Sequence, residues 1–292
     1  MSTSTRLTKV FNNSKEILFN DDSKIVLISD CHRGDNSWTD DFANNQNLFF
    51  TALNHYYKSN FTYIEVGDGD ELWKNKDFSL IRNTYSNIFW LLIKFHEESR
   101  YFVIWGNHDI EKSNAGFVKN YYNRFFDLRT KMHRSLFEDL MPQEGLILKH
   151  EITGKKIFVV HGHQGDLIND KFWKLGRFLV RYFWKNLELI GVKDPTSPAR
   201  NYTKADKLEK KIINWVKEND QMLIAGHTHR PMFPKENEPQ YFNDGSCVHP
   251  RCITGIEIQK NNITLIKWSI KTNENGFLFV GRDVIAGPRP IA

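Results

Sequence analysis

The chain is poor in cysteine, in long apolar runs and in any large excess of one charge. Its 292 residues include three cysteines, Cys31, Cys247 and Cys252. An odd, sparse set builds no disulfide framework, suits a reducing compartment and supplies no cysteine cluster for a structural zinc site. No stretch approaches the ~18 uncharged apolar residues of a spanning helix. Residues 1–13 are polar and lack the apolar centre of a signal peptide, so a cytoplasmic chain is expected. There is no internal repeat, low-complexity tract or evident linker. Lys and Arg number 40 against 35 Asp and Glu, a net +5. This mild basicity agrees with an anionic substrate or an acidic surface and selects neither.

What the chain does have is one pattern repeated five times: a short apolar run followed at once by polar, metal-capable residues. Residues 25–28 (Ile-Val-Leu-Ile) read as a buried strand that delivers Asp30 and His32. On extended backbone, side chains two apart share a side, so this carboxylate and imidazole are expected to reach one ion. Residues 61–66 precede Gly67-Asp68-Gly69-Asp70-Glu71, and residues 101–105 precede Gly106-Asn107-His108-Asp109. Residues 156–160 precede His161-Gly162-His163, and residues 221–225 precede Gly226-His227-Thr228-His229. Asp, Asn and His offer the oxygen and nitrogen donors that suit Zn, Mn or Fe. Any one block is weakly specific, whereas five in a row are not.

The order Asp-x-His, Gly-Asp-x-x-(Asp/Glu), Gly-Asn-His-(Asp/Glu), His and Gly-His-x-His resembles the calcineurin-like metallophosphoesterases, over about residues 25–250. The resemblance implies a dinuclear hydrolase of phosphoester bonds with two divalent metal ions, Mn foremost and Fe or Zn as alternatives. Asp30, His32 and His229 would bind one ion. Asn107, His161 and His227 would bind the other, and Asp68 would bridge them. The register favours Asp68 as the bridge because it directly follows its strand; Asp70 is the minor alternative. His108 would assist the leaving group, and Glu71 stands where related enzymes orient this histidine, with Asp70 beside it as a second candidate. Arg33, next to the expected metals, is a candidate for holding a substrate phosphate. His163, two residues after His161, is a candidate to line the site that the pattern does not require. His55, His96, His133, His150 and His249 read as surface or hydrogen-bonded core residues.

The substrate is expected to be a phosphorylated small molecule or a lipid-linked one. Within the superfamily, the stretches His161–Asp166, Gly226–Pro231 and Asn243–Ser246 resemble the UDP-diacylglucosamine pyrophosphohydrolases. His108 departs from them, since arginine stands there in that branch, as does the middle of residues 68–73. A catalytically inactive metal-binding scaffold is the alternative of another class. No nucleic-acid motif accompanies the scattered basic residues, so no specific nucleic acid is expected.

Around these blocks, residues 44–59 and 78–99 show helical spacing and complete two βαβ units. The expected fold is α/β, a four-layer αββα sandwich of two mixed sheets, with ligands at the C-terminal ends of strands. It is expected as one domain over residues 1–292 with a helical cap or insertion at 168–218. Residues 172–190 interleave aromatic and basic side chains. They read as core or cap packing, with peripheral contact to an acidic membrane surface as the sharper alternative. Residues 204–217 read as a charged, solvated helix. Residues 1–20 read as a loose arm ending in a short strand or turn, 109–137 as irregular helix, and 271–292 as a tail with a short strand at 277–280.

Overall fold

The computed structural model describes residues 2–127, 130–166, 173–184 and 202–291. Two mixed sheets stack face to face. The first holds β1 (Lys15–Phe19), β7 (Gly145–His150), β8 (Lys156–Val160), β9 (Met222–Ala225) and β10 (Tyr241–Asn243), in that spatial order. The second runs β13 (Leu278–Pro290), β12 (Asn262–Thr272), β11 (Cys252–Gln259), β2 (Lys24–Ile28), β3 (Thr62–Val66) and β4 (Tyr101–Ile104). A small hairpin, β5 (Phe125–Asp127) and β6 (Met132–Arg134), stands apart from both.

The period-two alternation of β2 explains the layering. Ile25 and Leu27 join the core between the sheets, with Leu146, Leu148, Ile157, Val159 and Ile224 opposite. Val26 and Ile28 face the other way, into the cluster of α2 (Gln46–Lys58) and α4 (Ser86–Glu97), which includes Phe49, Leu53 and Leu92. The outer face of the first sheet is covered by Leu7 and Val10 of α1 (Thr3–Asn13) and by Leu208, Ile212 and Trp215 of the helix Tyr202–Asn219. Helix, sheet, sheet and helix are thus the four expected layers.

Several local expectations are corrected. Residues 3–13 are a helix rather than a loose arm, and the short strand expected at its end is β1. Only Leu7, Val10 and Phe11 mark the apolar stripe of α1, too few to stand out. The 78–99 segment is two helices, α3 (Phe78–Thr84) and α4, broken at Tyr85 (φ −105°, ψ 38°). Tyr85 is fully buried, and its hydroxyl donates to Asp40. Between 109 and 137 lie a 3-10 turn at Ile110–Ser113, one helical turn, α5 (Ala115–Phe117), a π-turn at Val118–Tyr122 and the β5–β6 hairpin. The short strand expected at 277–280 is instead the thirteen-residue β13, paired along β12.

The span 168–218 divides. Residues 168–172 and 185–201 lie outside the described residues. Trp173–Leu179 forms α6, continued by a π-turn over Val180–Trp184. The apolar face expected to pack is exposed at Leu175, Phe178, Leu179 and Tyr182. The helix is held by polar contacts instead: Arg177 pairs with Glu111, and Arg181 donates to main-chain carbonyls. The helix Tyr202–Asn219, α7, is solvated on one face only. Its other face belongs to the core, where Trp215 meets Phe158 (5.5 Å) and Phe11 (5.9 Å) and donates from Nε1 to Thr8 Oγ1 at 2.9 Å.

Trp215 therefore pins α1 and α7 to the first sheet. Trp215→Ala is expected to cost about 3–5 kcal/mol, by cavity formation and loss of the bond to Thr8. Urea denaturation followed by circular dichroism measures it.

Candidate metal centre and its supporting residues

β2, β3 and β4 run parallel in one sheet, and β8 and β9 run parallel in the other. Each ends in one of the five motif loops. The first two loops stay joined beyond their strands: Asp30 N, His32 N and Arg33 N donate to the carbonyls of Gly67, Asp68 and Gly69. Gly67 takes φ +86°, and a Cβ there would lie 2.4 Å from His161 Nδ1, so no larger residue lets the loop after β3 approach the loop after β8.

The structure corrects one step of the sequence argument. β2 ends at Ile28, and neither Asp30 nor His32 is extended. Five of the seven expected ligands, Asp30, His32, Asp68, His227 and His229, have φ between 49° and 69°. This left-handed region costs a non-glycine residue of order 1–3 kcal/mol and clusters at functional sites. The donors converge through these turns and not through strand alternation.

They converge in two sets. In the first, His229 Nε2 lies 3.0 Å and His32 Nε2 3.6 Å from Asp30 Oδ1, and the two imidazole nitrogens are 3.2 Å apart. In the second, Asp68, His161 and His227 bring one donor atom each to within 4.8 Å of one another, with His161 Nε2 3.2 Å from Asp68 Oδ2. The same Asp68 oxygen is 3.8 Å from His32 Nε2, so its carboxylate lies between the sets. Donors bound to one ion at about 2.0–2.2 Å sit about 3–3.5 Å from each other, which is the spacing found.

The bonding of the remaining atoms leaves these donors free. His161 Nδ1 donates to the Val66 carbonyl at 2.9 Å, and His32 Nδ1 donates to Glu71 Oε2 at 3.1 Å. Each bond fixes the tautomer that presents Nε2 as a lone pair. Asp30 Oδ1, Asn107 Oδ1, His161 Nε2 and His227 Nε2 are buried without a hydrogen-bond partner. Orphaned buried polar atoms are costly, and a cation would satisfy these four. Burial alone would lower the His161 imidazole, but without an ion Asp68 and Asp30 outweigh it and lift the group to about 9, so a cation bound there would displace the proton from Nε2. Burial and the neighbouring His161 push His227 down to about 3. The residues therefore fit divalent metal.

His108 lies beside the donors. Its backbone N–H donates to Asp68 Oδ1 at 2.8 Å, and its Nδ1 lies 2.9 Å from both oxygens of Glu71. Burial would raise Glu71, but His108 and His32 outweigh it and hold the carboxylate well below its ordinary range. Glu71 is thus the partner of His108.

Asp70 is not, which corrects the second candidate. Its carboxylate turns away to Arg33 Nε (2.8 Å) and Lys112 Nζ (2.7 Å). Arg33 is corrected with it. The side chain is fully buried, and its guanidinium is committed to Asp70 and to both oxygens of Glu65, at 3.0 and 2.8 Å. A guanidinium so enclosed has no surface for a substrate phosphate.

Sequence reasoning missed four supporting residues. Asp109 accepts four backbone N–H groups, from Gly106, Asp68, Gly69 and Asp70. Lys112 meets Asp109 at 2.7 Å and Glu65 at 3.2 Å. Asp244 takes the Ser29 hydroxyl at 2.6 Å, behind Asp30. His249 donates from Nε2 to the His229 carbonyl at 2.7 Å, a hydrogen-bonded residue behind a candidate ligand. Asp109 is visible in its motif, three residues before Lys112, but nothing local marks the pair as buried.

Lys112→Met would leave three buried carboxylates against Arg33 alone. A loss of about 3–5 kcal/mol is expected, since one partner of a buried charge network is removed. Equilibrium unfolding in urea, with Lys112→Arg for comparison, measures it.

No curated protein matches the sequence. Among solved structures, Vps29 from Chaetomium thermophilum is 12% identical over 92% of this chain and 99% of its own, with a TM-score of 0.42. Vacuolar protein sorting 29 from Cryptosporidium parvum is 13% identical over 91% and 98%, with a TM-score of 0.36. A putative 5'-nucleotidase from Staphylococcus aureus is 14% identical over 88% of this chain and 52% of its own, with a TM-score of 0.36. Likenesses so remote carry no functional argument. The profile of the calcineurin-like phosphoesterases, by contrast, matches residues 23–231, well over half of the chain. With that match, the chain belongs to the calcineurin-like phosphoesterase family.

Proposed function

We propose that the protein is a metal-dependent phosphoester hydrolase with two divalent cations sharing the Asp68 carboxylate. The observation that carries this reading is the pair of buried donor sets with four orphaned donor atoms and Asp68 between them. The family is generally hydrolytic. Asp30, His32 and His229 would hold one cation; Asn107, His161 and His227 would hold the other. Bound there, such cations supply charge stabilisation for a phosphoryl group and lower the pKa of water.

The chain's own residues do the rest. Asp68 has one oxygen held by the His108 N–H, which aims the other at the donors. Glu71 holds the Nδ1 side of His108 and leaves Nε2 free of that carboxylate. The His108 side chain is 22% exposed, against 10% for His32 and 14% for His229. Of these three, His108 is the ring best placed to reach a leaving oxygen, and proton delivery from its Nε2 is the role we assign it.

A second reading narrows the substrate to a phosphodiester or pyrophosphate that carries an acyl chain, as in the UDP-diacylglucosamine branch. The exposed Leu175, Phe178, Leu179 and Tyr182 of α6 and its continuation favour it, because Arg181 in that continuation holds the carbonyls of Leu72 and Trp73 beside His108.

Metal analysis paired with hydrolysis of p-nitrophenyl phosphate and bis-p-nitrophenyl phosphate tests the proposal. Two metals per chain and turnover stimulated by Mn, Fe or Zn are expected. His108→Asn is expected to keep its metal and lose about 10²–10⁴-fold in kcat. Absence of both metal and turnover with every divalent ion would overturn the hydrolase reading and favour a scaffold.

Metal is also expected to stabilise the fold. At about 100 times Kd, Mn should add about 2.7 kcal/mol, seen as a rise in Tm that a chelator reverses.

A further inference from the structure

His108 is enclosed on three sides. Glu71 holds its Nδ1. The His32 ring stands edge-on, with centroids 4.7 Å apart. The Trp73 indole stacks on it at 4.3 Å, with the planes 21° apart. Trp73 is buried, but its own Nε1 has no hydrogen-bond partner, so no polar contact steers the indole.

The main chain of this turn is what is secured. Arg181 Nε donates to the Trp73 carbonyl at 2.9 Å, and Nη2 donates to the Leu72 carbonyl at 2.6 Å. Leu72 N–H in turn donates to the His108 carbonyl at 3.1 Å. One turn of helix before Arg181, Arg177 pairs with Glu111, in the loop that follows His108. The segment 173–184 thus grips both the turn whose indole stacks on the histidine and the turn that follows the histidine.

A ring tethered at one nitrogen still swings about that contact. Stacking removes this freedom, and a stacking ring whose backbone is clamped cannot slide. We propose that Arg181 and Trp73 are positioning residues that hold the His108 imidazole with Nε2 aimed at the leaving oxygen. The proposal rests on the hydrolase reading above and adds a part of the chain, α6 and its continuation, that the metal centre itself does not require. Neither residue need touch the reacting atoms. A displacement of about 1 Å in a catalytic group can cost about 100-fold in rate.

Leaving-group chemistry separates positioning from general damage. A p-nitrophenolate departs with little help from an acid, whereas a phenolate of ordinary basicity needs the proton. Arg181→Ala and Trp73→Leu are therefore expected to lower kcat for phenyl phosphate by about 10-fold or more. For p-nitrophenyl phosphate the loss should stay within about threefold. KM and metal content should not change. Trp73→Phe, which keeps a stacking face, and Arg181→Lys, which keeps a donor, should each recover part of the loss.

A second readout does not depend on turnover. Modification of His108 by diethylpyrocarbonate, followed by peptide mass spectrometry on metal-loaded protein, should accelerate several-fold in Arg181→Ala and Trp73→Leu. Equal losses on both substrates, or an unchanged modification rate, would overturn the positioning role and leave the hydrolase reading standing. A wild type that turns over neither these monoesters nor bis-p-nitrophenyl phosphate with any divalent ion would remove the hydrolase reading. The modification rates would then decide by themselves whether the clamp holds the ring.

Discussion

Asp109 gathers four backbone N–H groups onto one carboxylate, and Lys112 meets its charge at 2.7 Å. Three of those donors come from the loop after β3 and the fourth from the loop after β4. The left-handed turn at Asp68, which sets that carboxylate between the two donor sets, costs energy that this convergence offsets. Burial raises Glu65 and Asp70, but Arg33 and Lys112 outweigh it and keep both below their ordinary range. Arg33 belongs to the loop after β2. Three loops of three adjacent strands are thereby one charged, buried unit, and the candidate site sits on it.

The other sheet is joined to this unit by fewer, shorter links. Asp30 Oδ2 accepts the His227 N–H at 2.8 Å. A Cβ at Gly226 would lie 2.2 Å from the Ser29 hydroxyl, so the two loops meet at van der Waals limits. Behind them burial, and after it Asp30, lifts Asp244 well above the carboxylate range. The Ser29 hydroxyl lies between the two carboxyl groups, within hydrogen-bond distance of each.

Much of this was legible in the residues. The five strands that carry the loops, their order, and the residues that meet at their ends follow from apolar runs and the polar groups after them. The helix of Leu48, Phe49, Ala52, Leu53 and Tyr56 buries that very face. What was not legible depends on long-range partners. Arg33 and Asp70 are charged residues next to a site, and charge next to a site reads as function. Their burial comes from Glu65 and Lys112, distant in sequence and invisible to local pattern. Tyr85 breaks a continuous apolar periodicity because its hydroxyl reaches Asp40, forty-five residues away. β13 has no alternating apolar pattern, since as an edge strand it is exposed on both faces, and its length is set by β12.

The division of the donors between the sheets bears on how the chain folds. Asp30, His32, Asp68 and Asn107 belong to loops of one sheet, His161, His227 and His229 to loops of the other. Neither donor set is complete until the two sheets have docked, across some of the longest sequence separations in the molecule. An ion bound there would therefore act mainly after the folding barrier, slowing unfolding and leaving the folding rate almost untouched. The native lifetime, more than the speed of reaching the native state, would follow the supply of metal.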